Sequence, residues 1–437
     1  MRAIRSDVLK ESVFYTALGS GLTLFVMPRS RFQKQHAALS CEYGSIDTCF
    51  IHPVTGEKVS QPAGIAHFLE HKLFERESGS VFDDFSRLGV SANAYTTRTS
   101  TTYLFTATQH FEEALSLLLS FVREPYFTDE TVEKERGIIR QEIEMYSDMP
   151  QVRLQTNLLG AMYHRHPVRV DIGGTRDSIR EITPEMLYIC HETFYHPTNM
   201  VLFVSGDLEP EQVVEMAERI DAPYTKPERP PVKRAYPDEP EQVAESEVVE
   251  SMAVSLPLVL VGYKFPGTLI DPKSMMRRQA AADVMLGALF GRSSSLFEEV
   301  YERRLLSNSF SASFEAAKGF AHALIGGESG DPTRLSHKIC EGVEEARRTG
   351  VPFEDICRMK RKMIGEFVAL FNSPEQVGRL FVSTYFKGAS VFDYYDALMQ
   401  VSEEDIRGLL DEGFSEANLC VSIVKPEEKS RRCTPEQ

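Results

Sequence analysis

Basic residues are in short supply in this chain. Lys and Arg number 48 against 64 Asp and Glu, which leaves a net charge of −16 over 437 residues and a pI near 5.3. Nucleic acid and anionic membrane both demand a basic face, so neither is expected as a partner, and an acidic body suits basic or neutral partners better. Cys-x-x-Cys pairs are absent. The seven cysteines (Cys41, Cys49, Cys190, Cys340, Cys357, Cys420 and Cys433) are scattered and odd in number. They read as reduced thiols, which excludes a disulfide framework and a cysteine zinc site. No stretch approaches the roughly 18 apolar residues of a membrane span. The first ten residues mix charges without an apolar run, so no signal peptide is expected and the default location is the cytoplasm. What remains is an ordinary composition, 42% hydrophobic and 26% charged, in a chain too long for one core. Two or more domains follow from the length.

Against this background one stretch carries chemistry. Gly64-Ile65-Ala66-His67-Phe68-Leu69-Glu70-His71 places two histidines and a carboxylate within five residues of helix-forming sequence. Positions i and i+4 lie one turn apart on one helical face, so His67 and His71 can share a cation. Glu70 projects beside that pair without being a ligand. Two imidazoles on a metal, with a separate carboxylate close enough to take a proton from water, is the arrangement of a metallopeptidase, and H-x-x-E-H is the inverse of the commoner H-E-x-x-H zinc signature. The competing reading is an amphipathic helix with two surface histidines.

A second helix is expected from Thr128-Asp129-Glu130 to about Ser147. Its apolar stripe Val132, Ile139, Ile143 and Tyr146 has Glu135 and Glu142 inside or beside it. Carboxylates on a buried face need partners. Seven residues apart, these two point the same way about 10.5 Å apart along the axis. A cation held by His67 and His71 would satisfy one carboxylate, and the other could hydrogen-bond a ligand imidazole. An exposed helix edge paired with Lys134, Arg136 and Arg140 is the alternative.

Taken in order, Val13–Ala17 and Leu22–Met27 flank Leu18-Gly19-Ser20-Gly21 as a hairpin, and Ala37–Tyr43 forms a third strand. Ser80–Leu88 is a short helix, Val90–Thr96 and Thr101–Thr108 are strands, and Phe111–Val122 is an amphipathic helix. Met186–Tyr195 is helical, Met200–Ser205 is a buried strand, and a helix runs from Pro210 to Ile220. Six prolines among many charges then mark 221–248 as a linker. After it the β-then-α order begins again: strands near 257–265, 308–314, 322–328 and 418–424, and helices near 272–290, 295–304, 333–348, 354–371 and 374–386. The expectation is an internal duplication of two α+β domains, each a mostly antiparallel sheet with helices packed on it, in a clam-shell arrangement. The zinc-bearing domain would span 1–220 and the second domain 249–437. The helix from Pro272 has no histidine pair, so the second copy has no metal site of its own. Lone glycine pairs at 173–174 and 326–327 are too little for a phosphate loop, and His164-Arg165-His166 reads as loop and packing residues.

Several segments together resemble the pitrilysin and insulinase family of zinc peptidases. They are His67-Phe68-Leu69-Glu70-His71, Glu135-Arg136-Gly137-Ile138-Ile139-Arg140-Gln141-Glu142, Asn93-Ala94-Tyr95-Thr96 and Tyr195–Asp207. The resemblance covers essentially the whole chain. It implies a zinc endopeptidase acting on peptides or unfolded protein segments, with Zn2+ held by His67, His71 and Glu142, Glu70 as general base, and Glu135 as the carboxylate behind a ligand imidazole. It also implies that Asn93, Ala94 and Tyr95 form the sheet edge that takes up an extended peptide.

One departure from the family pattern stands out. Catalytic members usually carry an Arg and, seven residues later, a Tyr in the second domain. Here Tyr301 and Asn308 occupy those places, and another register, Arg303 with Phe310, still lacks the tyrosine hydroxyl. In some bacterial members two related chains divide the machinery, and this chain resembles the metal-bearing one. A homodimer, or a heterodimer with a related chain supplying Arg and Tyr, is therefore expected. The rival reading is a catalytically weak or inactive structural subunit of a hetero-oligomer.

Overall fold

The computed structural model describes residues 1–267, 271–306, 309–317 and 319–427. The chain packs as two compact units that interleave in sequence. The first is Met1–Ile143, Val170–Pro237 and Ile364–Asp396; the second is Glu144–Arg169, Asp238–Met363 and Ala397–Gln437. This differs from a division into 1–220 and 249–437, because each unit takes a segment from the far side of the proline-rich stretch.

The first unit is built on a seven-stranded sheet in the order Arg2–Ser6, Glu11–Ala17, Thr23–Pro28, Met200–Gly206, Gln35–Cys41, Thr101–Ala107, Ser91–Thr96. Neighbours are antiparallel except Thr23–Pro28 and Met200–Gly206, which run parallel. Alternation along the strands feeds two cores. Leu24, Val26, Leu39, Phe105 and Leu202 face helices such as Ile65–Leu73 and Phe111–Arg123. Val13, Phe25, Met27, Val201 and Phe203 face Phe367, Phe371, Val377 and Phe381 on the other side.

The second unit holds a five-stranded sheet in the order Glu247–Met252, Leu419–Pro426, Leu258–Phe265, Phe320–Glu328, Ser311–Ala317. Its first pair is parallel and the others antiparallel. The last five strands of the first sheet match these five one for one, in spatial order, direction and order along the chain. The expected α+β duplication is thus present at the level of hydrogen-bonded topology.

Among the elements that escaped the pattern reading are Arg2–Ser6, the strand Glu247–Met252, and the helices Pro150–Met162, Asp393–Gln400 and Glu403–Gly413. Arg2–Ser6 is an edge strand with no fully buried residue, so it carries no alternating apolar signal. Tyr146, placed in the buried stripe from its spacing, is instead exposed.

The proline-rich stretch is exposed over much of its length, yet it is tied to the fold at several points. Lys233–Arg234 pairs as a short strand with Cys49–Ile51. Arg234 donates from Nε to the buried Asp47 at 2.7 Å, and the Tyr236 hydroxyl donates to the same oxygen at 3.0 Å. Within the second unit, Glu239 accepts the backbone N–H groups of His164, Arg165 and His166, each at 2.8 Å, and the Lys264 ammonium at 2.6 Å. Two of the charges that made this stretch look solvated, Arg234 and Glu239, are thus partnered inside the fold.

Burial alone would raise the Glu239 carboxyl. Lys264 and the three backbone donors outweigh burial and hold its pKa at about 2, against an ordinary 4.5. Because the folded value is depressed, this stabilisation is present above about pH 4.5 and is lost as pH falls toward 2. Glu239→Gln is expected to destabilise the protein at pH 7 by roughly 1.5–3 kcal/mol, the worth of a hydrogen bond to a charged group. Urea unfolding should show a smaller deficit at pH 3 than at pH 7.

Candidate metal centre

The helix Ile65–Leu73 buries Ile65, Ala66, Phe68, Leu69 and Leu73, which turns His67 and His71 away from the core. Its start is closed by a neighbouring loop. Gly64 sits at φ +89°, and a Cβ there would lie 2.4 Å from the Gly173 carbonyl oxygen. Gly174 is at φ +79°, and a Cβ on it would lie 2.5 Å from the Ala63 oxygen. The Ser178 hydroxyl also donates to that oxygen at 2.8 Å. The glycine pair therefore seats the motif helix, a role that only the fold reveals.

The histidine rings stand 4.6 Å apart, centroid to centroid. Glu142 reaches them from the helix Asp129–Ser147, with its Oε2 at 3.8 Å from His67 Nε2 and 3.5 Å from His71 Nε2. Among the described residues these three form the one group able to hold a metal ion, one ligand atom from each lying within 4.8 Å of the others. Both Nε2–Oε2 separations are too long for good hydrogen bonds. They fit a shared ion instead. Two ligand atoms on a tetrahedral zinc with bonds of about 2.05 Å lie about 3.4 Å apart.

The protonation of His67 suits the same purpose. Burial, aided by the neighbouring His71, pushes the His67 pKa down to about 3 and keeps its ring neutral. His67 Nδ1 is buried and has no hydrogen-bond partner among the described residues. For His71, burial acts downward, but the hydrogen bond to Glu135 and the charges of Glu70, Glu135 and Glu142 outweigh it and raise the pKa. Glu135 Oε1 lies 2.9 Å from His71 Nδ1, a bond that in the neutral ring would keep the proton on Nδ1 and leave Nε2 available to a metal. Two imidazole nitrogens and one carboxylate leave a fourth position open, the usual donor set of catalytic zinc.

Glu70 stands outside the ligand group and is buried. Burial raises its pKa, and its Oε2 accepts the Thr96 hydroxyl at 2.5 Å. Thr96 ends the strand Ser91–Thr96, which lies at the margin of the sheet and, among the described residues, pairs only with Thr101–Ala107. Asn93, Ala94 and Tyr95 thus lie on an edge open to main-chain pairing, and Asn93 Oδ1 accepts the Ala94 N–H at 2.8 Å. The bond between Thr96 and Glu70 joins that edge to the motif helix. It links residues 26 apart, so local spacing gives no sign of it. Tyr301 is exposed on the helix Ser295–Glu302 and stacks near Phe297, while Asn308 lies outside the described residues.

Comparison with known proteins gives the family. Residues 57–176 match the family model "Insulinase (Peptidase family M16)", and residues 181–363 match "Peptidase M16 inactive domain". The "Uncharacterized zinc protease YmfH" of Bacillus subtilis (strain 168) is 40% identical over 428 residues, covering 98% of this chain and 99% of the relative. "Zinc protease PqqE" of Helicobacter pylori is 24% identical, covering 83% of this chain and 84% of the relative. A crystal structure of an M16-like peptidase from Alicyclobacillus acidocaldarius superposes with a TM-score of 0.92 at 33% identity, covering 98% of this chain and all of the other. Two of these relatives are named zinc proteases, and a 40% identity sustained from end to end makes the chain a member of the insulinase family, peptidase family M16.

Proposed function

We propose that this chain is a zinc-dependent endopeptidase acting on peptides or unfolded protein segments. The observation that carries the reading is the convergence of His67 Nε2, His71 Nε2 and Glu142 Oε2, with the Glu70 carboxylate beside them and outside the set. Zinc held by these three side chains supplies a Lewis acid for the scissile carbonyl and lowers the pKa of water. Glu70 takes the proton from the attacking water and returns it to the leaving amine. Thr96 holds one Glu70 oxygen and leaves the other for the proton. Glu135 keeps His71 in the required tautomer. The substrate lies as an added strand along Asn93, Ala94 and Tyr95, so main-chain hydrogen bonds give affinity and side-chain contacts give selection.

The protein acts in the cytoplasm as a dimer, preferably with a related chain that supplies the Arg and Tyr replaced here by Tyr301 and Asn308. Nucleic acid and membrane are not among its partners. Among the described residues no helix is long and apolar enough to cross a membrane. The substitution at Tyr301 and Asn308 is also the observation that favours a second reading, a catalytically weak or inactive subunit of a hetero-oligomer.

Glu70→Gln is expected to retain zinc while lowering turnover by about 10²- to 10⁴-fold, the usual cost of losing a general base. Glu142→Ala or His67→Ala releases the metal. Metal analysis alongside a peptide assay checks both, and a zinc-free or fully active Glu70→Gln protein would overturn the assignment. Glu135→Ala leaves the three ligands in place but frees the His71 ring, so zinc affinity should fall about 10- to 100-fold in a competition titration with a chromophoric chelator. Tyr301→Arg combined with Asn308→Tyr should raise the activity of the isolated chain, since an oxyanion donor is worth roughly a hundred- to a thousandfold in rate. If the isolated wild-type chain already cleaves as fast as that double variant, the divided-site reading fails.

A further inference from the structure

The edge strand Ser91–Thr96 presents two faces. Ala92 and Ala94 pack toward the core beneath the motif helix, and Thr96 bonds Glu70 on that side. Ser91, Asn93 and Tyr95 therefore point to the opposite face. On that face the helix Pro374–Tyr385 crosses the same sheet. It approaches closely at Gly378, where an added Cβ would lie 2.9 Å from His36 Nε2 and 3.2 Å from the Phe203 ring. The next residue, Arg379, is thereby carried to the margin of the sheet, where its guanidinium lies 4.6 Å from the centre of the Tyr95 ring.

This cation is held but not consumed. Among the described residues its guanidinium makes one hydrogen bond, Nη2 to Glu375 Oε1 at 3.2 Å, and its side chain keeps 47% of its exposure. Stacking on an aromatic ring fixes the plane of a guanidinium while its N–H edges stay available for a carboxylate. A peptide added beside Ser91–Thr96 would lie about 4.8 Å away, and its side chains would alternate between the Glu70 face and the Tyr95 face. A side chain on the Tyr95 face falls within reach of Arg379, next to Asn93 and Ser91, which are polar and uncharged. A body of net charge −16 repels acidic peptides, so accepting one at this edge needs a local cation.

We propose that Arg379, seated on the Tyr95 ring, is a specificity-determining residue that selects peptides bearing an acidic side chain on the strand face opposite Glu70. The proposal rests on the peptidase reading above and names a substrate class for it. The selected residue lies within about two positions of the scissile bond, because Thr96 and Tyr95 are adjacent and strand faces alternate.

The test uses the zinc-loaded full chain and a peptide set in which Glu, Gln or Lys is walked through each position around the cleavage site. At one position the wild type is expected to favour Glu over Gln by about 2- to 5-fold in kcat/KM, the upper range of a partly exposed ion pair. Arg379→Gln should bring that ratio to about one, and Arg379→Glu should turn the preference toward Lys. The same ratios are read as affinities by fluorescence anisotropy, with fluorescein-labelled Glu and Gln peptides on the Glu70→Gln protein, where no cleavage is needed. Thermal melts of each variant confirm folding. A Glu-to-Gln ratio that is the same in the wild type and both Arg379 variants overturns this proposal and leaves the peptidase reading standing. A protein that neither cleaves nor binds any of the peptides overturns both.

Discussion

Everything that gives this site its character depends on two carboxylates of one helix meeting two imidazoles of another. Glu142 and Glu135 lie two turns apart and contact different atoms of the same histidine pair: Glu142 faces both Nε2 atoms and Glu135 takes the Nδ1 of His71. Without those imidazoles and a cation, Glu142 would be a half-buried charge bordering an apolar stripe, an unfavourable placement. Without the carboxylates, His71 would lose the bond that sets its tautomer. Seating the motif helix through Gly64 and the Gly173-Gly174 loop, and bonding Glu70 through Thr96, then follow as requirements of keeping the two helices in register.

Much of this was legible in the sequence, because the chemistry happens to be written at helical spacing. His67 and His71 at i and i+4, and Glu135 and Glu142 at i and i+7, announce their shared faces before any fold is known. The buried strands of both sheets were legible for a related reason, since they have apolar runs bounded by turn residues, whereas the edge strands Arg2–Ser6 and Glu247–Met252 were not. Contacts between residues distant in sequence were not. Thr96 against Glu70, Arg234 against Asp47, and Arg379 over Tyr95 are set by topology, and no local pattern marks them. The proline-rich stretch misled for a specific physical reason. Charge and proline imply solvation only when the charges lack partners, and Arg234 and Glu239 have theirs in buried groups of the fold.

The duplication shows what the frame requires and what it leaves optional. Five strands recur in the same order and directions in both units, yet the helix Pro272–Phe290 carries alanine, methionine and leucine where the first unit has its histidines. The sheet topology therefore persists without the metal. The metal-ligand candidates are thus additions to a scaffold whose topology does not depend on them.

The interleaving of the two units has a consequence for synthesis on the ribosome. One face of the first sheet, with Phe25, Val201 and Phe203, is covered by Phe367, Phe371, Val377 and Phe381 from Ile364–Asp396. When the chain has emerged as far as Pro237, all seven strands of that sheet are present but this covering layer has not been made. At roughly 5–20 residues per second, the missing segment arrives on the order of 10–30 s later. For that interval an apolar sheet face stands open to water, so the nascent chain must be shielded by chaperones or remain only loosely collapsed. The order of the gene thus delays completion of the unit that carries the candidate metal centre until nearly the whole protein has been translated.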